Sequence, residues 1–389
     1  MEFDRVPSIA KYLSVIFLIS RLGSNTVWMF LPIFFEMHID SVFLIGVMTS
    51  IPAFIPLIMD IPVGNLVQRA GEKIVIFIGL TMNLMPGLFY LTGIPILLVV
   101  GKVFEGFVKS MIWNGGWTLT LKSSDSSAEA ESTSVFLLGA NLAAIIGPII
   151  GGFLIASHGF NLTFAIWVFS AWLAALVFYL YVGLEGKKGF IESIEELFSR
   201  KTYTDDRKHL MENWGSLKAP LSLILVYSVI FSFFWLAVPL LLEDMNASYE
   251  MMGVVFGLAA LPKLFQVFFG DLGDKIGDLK VASVLSLLLV PVLVLMSFSS
   301  SIYVIGALFL LARLFVAGMS PLIHAFYDSQ VPDEVEGEMT GFLEFSKHTG
   351  QAIGPTMAGT AASVGGIALS FQIAAVAAVL LFGLSYRLQ

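Results

Sequence analysis

The segment GDLGDKIGDLK at 270–280 places five charged residues among eleven, between two long apolar stretches of the chain. A related segment, GNLVQRAGEK, occupies 64–73 and begins 206 residues earlier (270 − 64). The 389-residue chain is 57% hydrophobic and only 13% charged, whereas a soluble domain carries about 25% charged residues. This composition predicts an integral membrane protein whose short polar segments separate membrane-spanning helices.

Twelve apolar stretches are long enough to cross the bilayer core, which takes about 20 residues of helix. We call them spans 1 to 12: 11–35, 41–66, 73–92, 95–121, 131–157, 161–183, 218–242, 248–271, 279–298, 302–328, 337–362 and 366–387. Alternate loops between the spans contain no Lys or Arg. Because positive residues concentrate on the cytoplasmic side, the sequence predicts that both termini are cytoplasmic.

The two halves of the chain repeat each other. Gly46 aligns with Gly253 at a shift of 207 residues, and GPIIGG at 147–152 aligns with GPTMAG at 354–359 at the same shift. An accidental match would not keep one register across half a chain. The sequence therefore predicts an all-α membrane protein of twelve transmembrane helices in two pseudo-symmetric six-helix bundles. Its three parts are an amino-terminal bundle at 1–183, a cytoplasmic linker at 184–217 and a carboxy-terminal bundle at 218–389.

The linker contains IESIEELFSRK at 191–201, whose apolar residues have helical spacing. This pattern is typical of an amphipathic helix on the cytoplasmic membrane surface. A solvated linker helix accounts for the same pattern equally well.

Two six-helix halves, a long linker and charged loops after spans 2 and 8 resemble the major facilitator superfamily. The loop signature of that family is Gly, three residues, Asp, Arg or Lys, any residue, and Gly. Residues 270–277 match it, and 64–71 match it except that Gln68 stands where the family has Asp. The resemblance implies a gating role for Gly64, Gln68, Arg69, Gly71, Gly270, Asp274, Lys275 and Gly277.

The chemistry of these loop residues suits a turn whose contacts can change. Gly71 and Gly277 permit a tight turn, and Asp274 can accept hydrogen bonds from amides at a neighbouring helix start. Gln68 carries no charge, so we expect the carboxy-terminal loop at 270–277 to contribute more to gating than the loop at 64–71 does. An ordinary pair of polar turns is the alternative.

Span 5 contains a second motif, in which Gly147 and Pro148 are followed by Gly151 and Gly152. Proline bends a membrane helix, and glycine lets another backbone approach closely. The motif resembles the signature of the antiporter and efflux branches of the family, which implies export. Close packing without any bearing on transport direction is the alternative. Span 11 carries a looser copy at Gly354 and Pro355.

Nine ionisable residues lie well inside predicted spans. Each costs about 2.5–3.5 kcal/mol at the centre of the membrane, so together they must face protein or a water-filled path. Six cations against three anions leave three excess positive charges (6 − 3), which favours an anionic or amphipathic substrate over a purely cationic one. The nine are Arg21, Asp60, Lys102, Glu105, Lys109, Lys263, Arg313, Glu344 and Lys347.

Glu105 is the leading candidate for a proton-carrying group, because its spacing puts it on one helix face with Lys102 and Lys109. The alternative is a fixed ion pair with Arg21 as a further partner. The segment at 102–106 also resembles a span-4 motif of the family, in which an Arg associated with proton coupling stands where this chain has Lys102.

The predicted proton-coupling set is Glu105, Asp60 and Glu344, although Asp60 also suits a gating or packing role. The predicted substrate-binding set is Arg21, Lys102, Lys109, Trp113, Lys263, Arg313, Lys347 and His348.

The chain has no cysteine, no HExxH or GxSxG motif and no nucleotide-binding loop, so the sequence predicts neither an enzyme nor a metal or cofactor site. The absence of a basic block argues against nucleic acid. We predict a monomeric secondary transporter of the plasma (cytoplasmic) membrane that works by alternating access, with a small-molecule substrate, protons and lipid as partners. Efflux or antiport of an amphipathic or anionic compound is the leading version. Uptake of a small organic anion or sugar-like solute by symport or uniport is the alternative.

Overall fold

The computed structural model describes residues 5–125, 128–184, 201–331 and 336–389, with no description of the side chains of 201–213 and 336–340. These residues form helices, and no strand is found among them. The all-α character of the predicted fold is thereby confirmed. The linker segment at 191–201 lies almost wholly outside the described residues.

The helices follow the predicted spans with small changes at their ends. Three spans contain a break, and the helix of span 7 begins within the predicted linker. In chain order the helices are Ser8–Asn25 and Leu31–Glu36 (span 1), Val42–Ala70 (span 2), Glu72–Met82 and Leu84–Tyr90 (span 3), Pro95–Ser123 (span 4), Glu129–His158 (span 5), Phe160–Tyr181 (span 6), Lys201–Asp244 (span 7), Tyr249–Leu258 and Gln266–Ile276 (span 8), Asp278–Phe298 (span 9), Ile302–Asp328 (span 10) and Glu336–Arg387 (spans 11 and 12).

Spans 11 and 12 join without a loop. Their helix is interrupted at Gly365 and Gly366, where Gly366 has a φ of 75°. Ten helical stretches of the described residues are long and apolar enough to cross a membrane; Gly341–Arg387 counts once among them and span 4 is not included. The count of twelve spans and the cytoplasmic location of the termini stay predictions.

The chain divides into two compact units. The first comprises the described residues of Met1–Leu31, Ile55–Ser199 and Ser248–Gly257. In it span 1 packs against spans 5 and 6. The core between them includes the buried side chains of Phe17, Ile112, Phe136 and Phe178.

The second unit comprises the described residues of Pro32–Phe54, Arg200–Ala247 and Leu258–Gln389. Span 7 packs there against the long helix of spans 11 and 12, and its core includes the buried rings of Phe233, Phe234 and Phe309. Each unit thus combines most of one sequence half with short segments of the other. The bundle boundaries at 1–183 and 218–389 stay predictions from the repeat.

Candidate functional site

A buried ion pair lies on span 4 of the first unit. The Nζ of Lys102 is 3.1 Å from one carboxylate oxygen of Glu105 and 3.2 Å from the other. Lys102 is only 2% exposed and Glu105 9%. The hydroxyl of Tyr90, the last residue of Leu84–Tyr90, donates to the same carboxylate. The spacing predicted from the sequence thus brings Lys102 and Glu105 together, and Tyr90 is a partner that sequence reasoning missed.

Arg21 of span 1 adds a second cation to this cluster. Its guanidinium lies within electrostatic range of Glu105 and 5.3 Å from the ring centroid of Trp113. One guanidinium nitrogen, Nη2, is buried and has no hydrogen-bond partner among the described residues. We call Arg21, Tyr90, Lys102 and Glu105 the Glu105 cluster. It holds two cations against one carboxylate, while Lys109 lies partly buried on the next turn of the helix.

Asp60 of span 2 forms hydrogen bonds with span 4, apart from the Glu105 cluster. Its carboxylate accepts hydrogen bonds from the hydroxyl of Ser110 and from the amide of Asn114, the latter at 3.1 Å. Two donors from a neighbouring helix hold an anion in place. The arrangement supports the packing role considered for Asp60 from the sequence.

A second cluster lies in the second unit, where span 8 is broken. The helix Tyr249–Leu258 gives way to a 3₁₀ segment at Leu261–Phe265 before Gln266–Ile276 begins. Pro262 lacks the amide that an α-helix would use there. Span 2, the equivalent span of the other half, is an uninterrupted helix of 29 residues. Irregular backbone at membrane depth is found where it is buried in protein or lines a water-filled path.

Arg313 of span 10 contacts this break. Its Nε donates to the carbonyl of Ala259 at 3.4 Å, and its guanidinium lies 4.8 Å from the ring centroid of Phe231 on span 7. Its Nη1 is buried and has no hydrogen-bond partner among the described residues. Lys263, which belongs to the 3₁₀ segment, lies within electrostatic range of both Arg313 and Lys347.

Span 11 contributes the remaining charges of this cluster. Lys347 binds both carboxylate oxygens of Glu344, at 2.8 and 2.9 Å, and the Nε2 of His348 lies 3.5 Å from Glu344. We call Lys263, Arg313, Glu344 and Lys347 the Arg313 cluster. It brings together three cations and one carboxylate, and that carboxylate faces Lys347 and His348. All four residues were in the sets predicted from the sequence.

The turns after spans 2 and 8 have the predicted glycine geometry. Gly71 has a φ of 100° and Gly277 a φ of 103°, in a region that side chains with a Cβ avoid. By contrast, a methyl group on Gly64 or Gly270 would meet no atom within 4 Å, so neither glycine marks a close contact here.

Asp274 does not make the expected contact with a helix start. It lies exposed, and no hydrogen bond to it is found among the described residues. Within the helix Gln266–Ile276, Lys275 pairs with Asp271 at 2.6 Å, because these residues are one helical turn apart. The side chains of Gln68 and Arg69 are also exposed. The gating role of all eight loop residues stays a prediction.

The glycine motifs of spans 5 and 11 mark close helix contacts. In the first unit a Cβ on Gly253 would lie 2.5 Å from the carbonyl oxygen of Pro148 and 3.0 Å from the Cα of Gly152. In the second unit a Cβ on Gly46 would lie 2.6 Å from the carbonyl oxygen of Pro355 and 3.1 Å from the Cα of Gly359. The shift of 207 residues relates one contact to the other.

The other glycines of these motifs pack within their own halves. Gly147 and Gly151 lie against Asn25 and Thr26 of span 1, and Gly354 lies against Ser232 of span 7. Span 5 forms one helix through Pro148, and its predicted bend there, like that at Pro355, stays a prediction.

Comparisons with known proteins agree with this fold. A family model described as Major Facilitator Superfamily matches residues 13–261 and 221–388. The MFS-type transporter YuxJ of Bacillus subtilis (strain 168) is 24% identical over 258 residues, or 64% of this chain and 63% of that protein, so the match spans a little under two thirds of the relative. The quinolone resistance protein NorA of Staphylococcus aureus (strain MSSA476) is 26% identical over 308 residues, or 76% of this chain and 75% of that protein. Among solved structures, the human organic anion transporter MFSD10 has a TM-score of 0.69 at 16% identity and covers 97% of this chain and 98% of its own, which shows a shared fold.

Proposed function

Because this chain belongs to the major facilitator superfamily, we propose that it exports an amphipathic or anionic organic compound across the plasma membrane in exchange for protons. The family consists of multi-pass membrane transporters of small molecules and not of enzymes. The chain is therefore a secondary transporter. Direction, coupling ion and substrate class are the parts that we propose.

The Glu105 cluster carries the proposal of proton coupling. Its carboxylate is 9% exposed and is held by one ammonium and one phenol, with a guanidinium nearby. Moving a charge into such surroundings is costly unless the charge is paired. Glu105 can therefore exist in two states, as a carboxylate paired with Lys102 and close to Arg21, or as a neutral acid that leaves both cations without its charge. A carboxyl group that alternates between these two states can bind a proton on one side of the membrane and release it on the other.

Two further observations support the direction and the substrate class. NorA is described as a quinolone resistance protein, and outward transport of a drug is one physical route to resistance. The Arg313 cluster holds three cations and one carboxylate, a balance that attracts anions.

The test is proton movement in proteoliposomes that contain a pH-sensitive dye. A panel of anionic, zwitterionic, cationic and neutral amphiphiles is added outside, and protein-free liposomes report passive leak. Antiport predicts that an anionic compound makes the lumen alkaline, because protons leave as the compound enters. Acidification would instead support symport, the alternative predicted from the sequence.

The double variant Lys102→Met with Glu105→Gln is the matched control. It leaves the net charge of the Glu105 cluster unchanged, since it removes one charge of each sign. We expect it to exchange labelled substrate across the membrane but to move no protons. Substrate-driven proton movement equal to that of the wild type would contradict the role of Glu105.

A further inference from the structure

We propose that the Arg313 cluster is the binding site for the anionic group of an aromatic organic anion, whose flat body lies along the rings of span 7. The proposal rests on the proposed function, which it makes specific by naming the substrate class and the residues that recognise it. It depends on three observations: an excess of cations, an unused donor and an adjacent row of aromatic rings.

The charges of the Arg313 cluster are not balanced. Glu344 is engaged by Lys347 through both oxygens, and no carboxylate pairs with Arg313 or Lys263 in the part of the chain that the structure describes. The Glu105 cluster has the smaller excess, two cations against one carboxylate, and Lys102 there has Glu105 as its direct partner. Arg313 and Lys263 are partly buried, and charges withdrawn from water are normally paired or bind a ligand. The excess of cations in the second unit therefore points to an anionic ligand.

Arg313 has a donor ready for such a ligand. Its Nε donates to the carbonyl of Ala259, and its guanidinium lies over the ring of Phe231. Its Nη1, however, is buried without an acceptor among the described residues. A buried donor without a partner is costly, and more so when it is charged. The carbonyl of Ala259 is accessible to Arg313 because span 8 is broken there. Broken membrane helices commonly form the binding sites of secondary transporters.

Aromatic rings lie next to this donor at helical spacing. Tyr227, Phe231 and Trp235 succeed one another on span 7 at four-residue intervals, with ring centroids 6.2 and 5.5 Å apart. Tyr227 lies near Ser320 and within electrostatic range of Arg313. Phe231 and Trp235 are only partly buried. A flat aromatic body can stack on these rings while its anionic group reaches Arg313 and Lys263.

The test uses three probes that share one ring system. Naphthalene-2-sulfonate is the anion, naphthalene-2-sulfonamide is the neutral analogue of nearly the same shape, and 2-naphthyltrimethylammonium is the cation. Binding to the purified full-length protein is measured by isothermal titration calorimetry. We expect the sulfonate to bind at least about 10-fold more tightly than the sulfonamide, because a charge-assisted hydrogen bond is stronger than a neutral one. Equal affinity for the three probes, or tighter binding of the cation, would overturn the proposal without any variant.

Variants then locate the site. Arg313→Gln should weaken sulfonate binding about 10- to 100-fold, and Lys263→Gln about 10-fold. Arg313→Lys keeps the charge but loses the planar donor pair, so it should recover part of the affinity. Lys280→Gln and Arg387→Gln are the matched controls, since both side chains are exposed in the same unit. Sulfonate affinity that falls equally in the controls, or survives in Arg313→Gln, would refute the site.

The two proposals fail in different ways. If the sulfonate binds in an Arg313-dependent manner but is not transported into proteoliposomes, the anion site stands and the proposed function fails. If other compounds are transported while the sulfonate does not bind, transport stands and the anion site is wrong.

Discussion

Glu105→Gln should destabilise the protein far more than the same substitution at an exposed ion pair. The substitution leaves Lys102 charged in a site where it is 2% exposed. Removing one partner of a buried ion pair costs about 3–5 kcal/mol, because the other charge stays buried without compensation. The amide introduced by the substitution can still accept hydrogen bonds from Tyr90 and Lys102, so the loss reflects the charge rather than the shape of the side chain.

The expected shift in melting temperature follows from chain length. Unfolding entropy is about 2.1 cal/mol/K per residue, which for 389 residues amounts to about 0.8 kcal/mol/K. A loss of 3–5 kcal/mol therefore lowers the melting temperature by about 4–6 °C.

Glu72→Gln is the matched control. Glu72 pairs with Lys122 at 3.2 Å, but the two side chains are 19% and 51% exposed. Exposed pairs contribute about 0–1 kcal/mol, so the melting temperature should change by about 1 °C or less.

Thermal unfolding of detergent-solubilised wild type and variants measures both effects. The double variant Lys102→Met with Glu105→Gln should recover more than half of the loss, since it leaves no uncompensated lysine. If Glu105→Gln shifts the melting temperature no more than Glu72→Gln does, the reasoning from a buried, compensated charge is wrong.

Three further substitutions test the backbone and packing of the fold by the same thermal measurement. Gly277→Ala should cost about 1–3 kcal/mol because of its positive φ. Gly270→Ala, in the helix that precedes this turn, should stabilise that helix slightly; equal effects would contradict the strained turn. Gly46→Ala should cost about 1–3 kcal/mol, since its Cβ would lie 2.6 Å from a carbonyl oxygen, while Gly64→Ala in the same helix has open space and should be neutral or better. Asn83→Leu should cost about 1–3 kcal/mol because it removes the partner of Ser20, at 3.1 Å, and of Trp167, at 3.2 Å; no change in melting temperature would mean that these bonds contribute nothing.

The sequence predicts the membrane fold well because composition and the repeat act over the whole chain. Apolar stretches of span length specify helices, and the shift of 207 residues relates the Gly46 contact to the Gly253 contact. Helical spacing correctly indicated that Lys102 and Glu105 meet, because both lie on one face of one helix. Contacts within a single helix need no knowledge of tertiary structure.

Contacts between helices were harder to predict. Nothing local marks Tyr90 as a partner of Glu105, since an aromatic residue at a span end also suits a membrane interface. The break in span 8 had one signal, Pro262, but proline is common in membrane helices and the break becomes evident only from the backbone. The expected contact of Asp274 is not found among the described residues and stays a prediction. Asp274 is exposed in this structure, while Lys275 pairs with Asp271 within the helix Gln266–Ile276.

The most direct test of the account is uptake of naphthalene-2-sulfonate into proteoliposomes under imposed pH gradients of either sign. The account predicts saturable uptake that is faster with an acidic lumen, because protons leaving the lumen drive the anion in. It also predicts that Arg313→Gln slows this uptake about 10- to 100-fold at low sulfonate concentration, while Lys280→Gln preserves it. Uptake that is insensitive to the pH gradient and to Arg313, or a preference for the naphthyl cation over the sulfonate, would contradict the account.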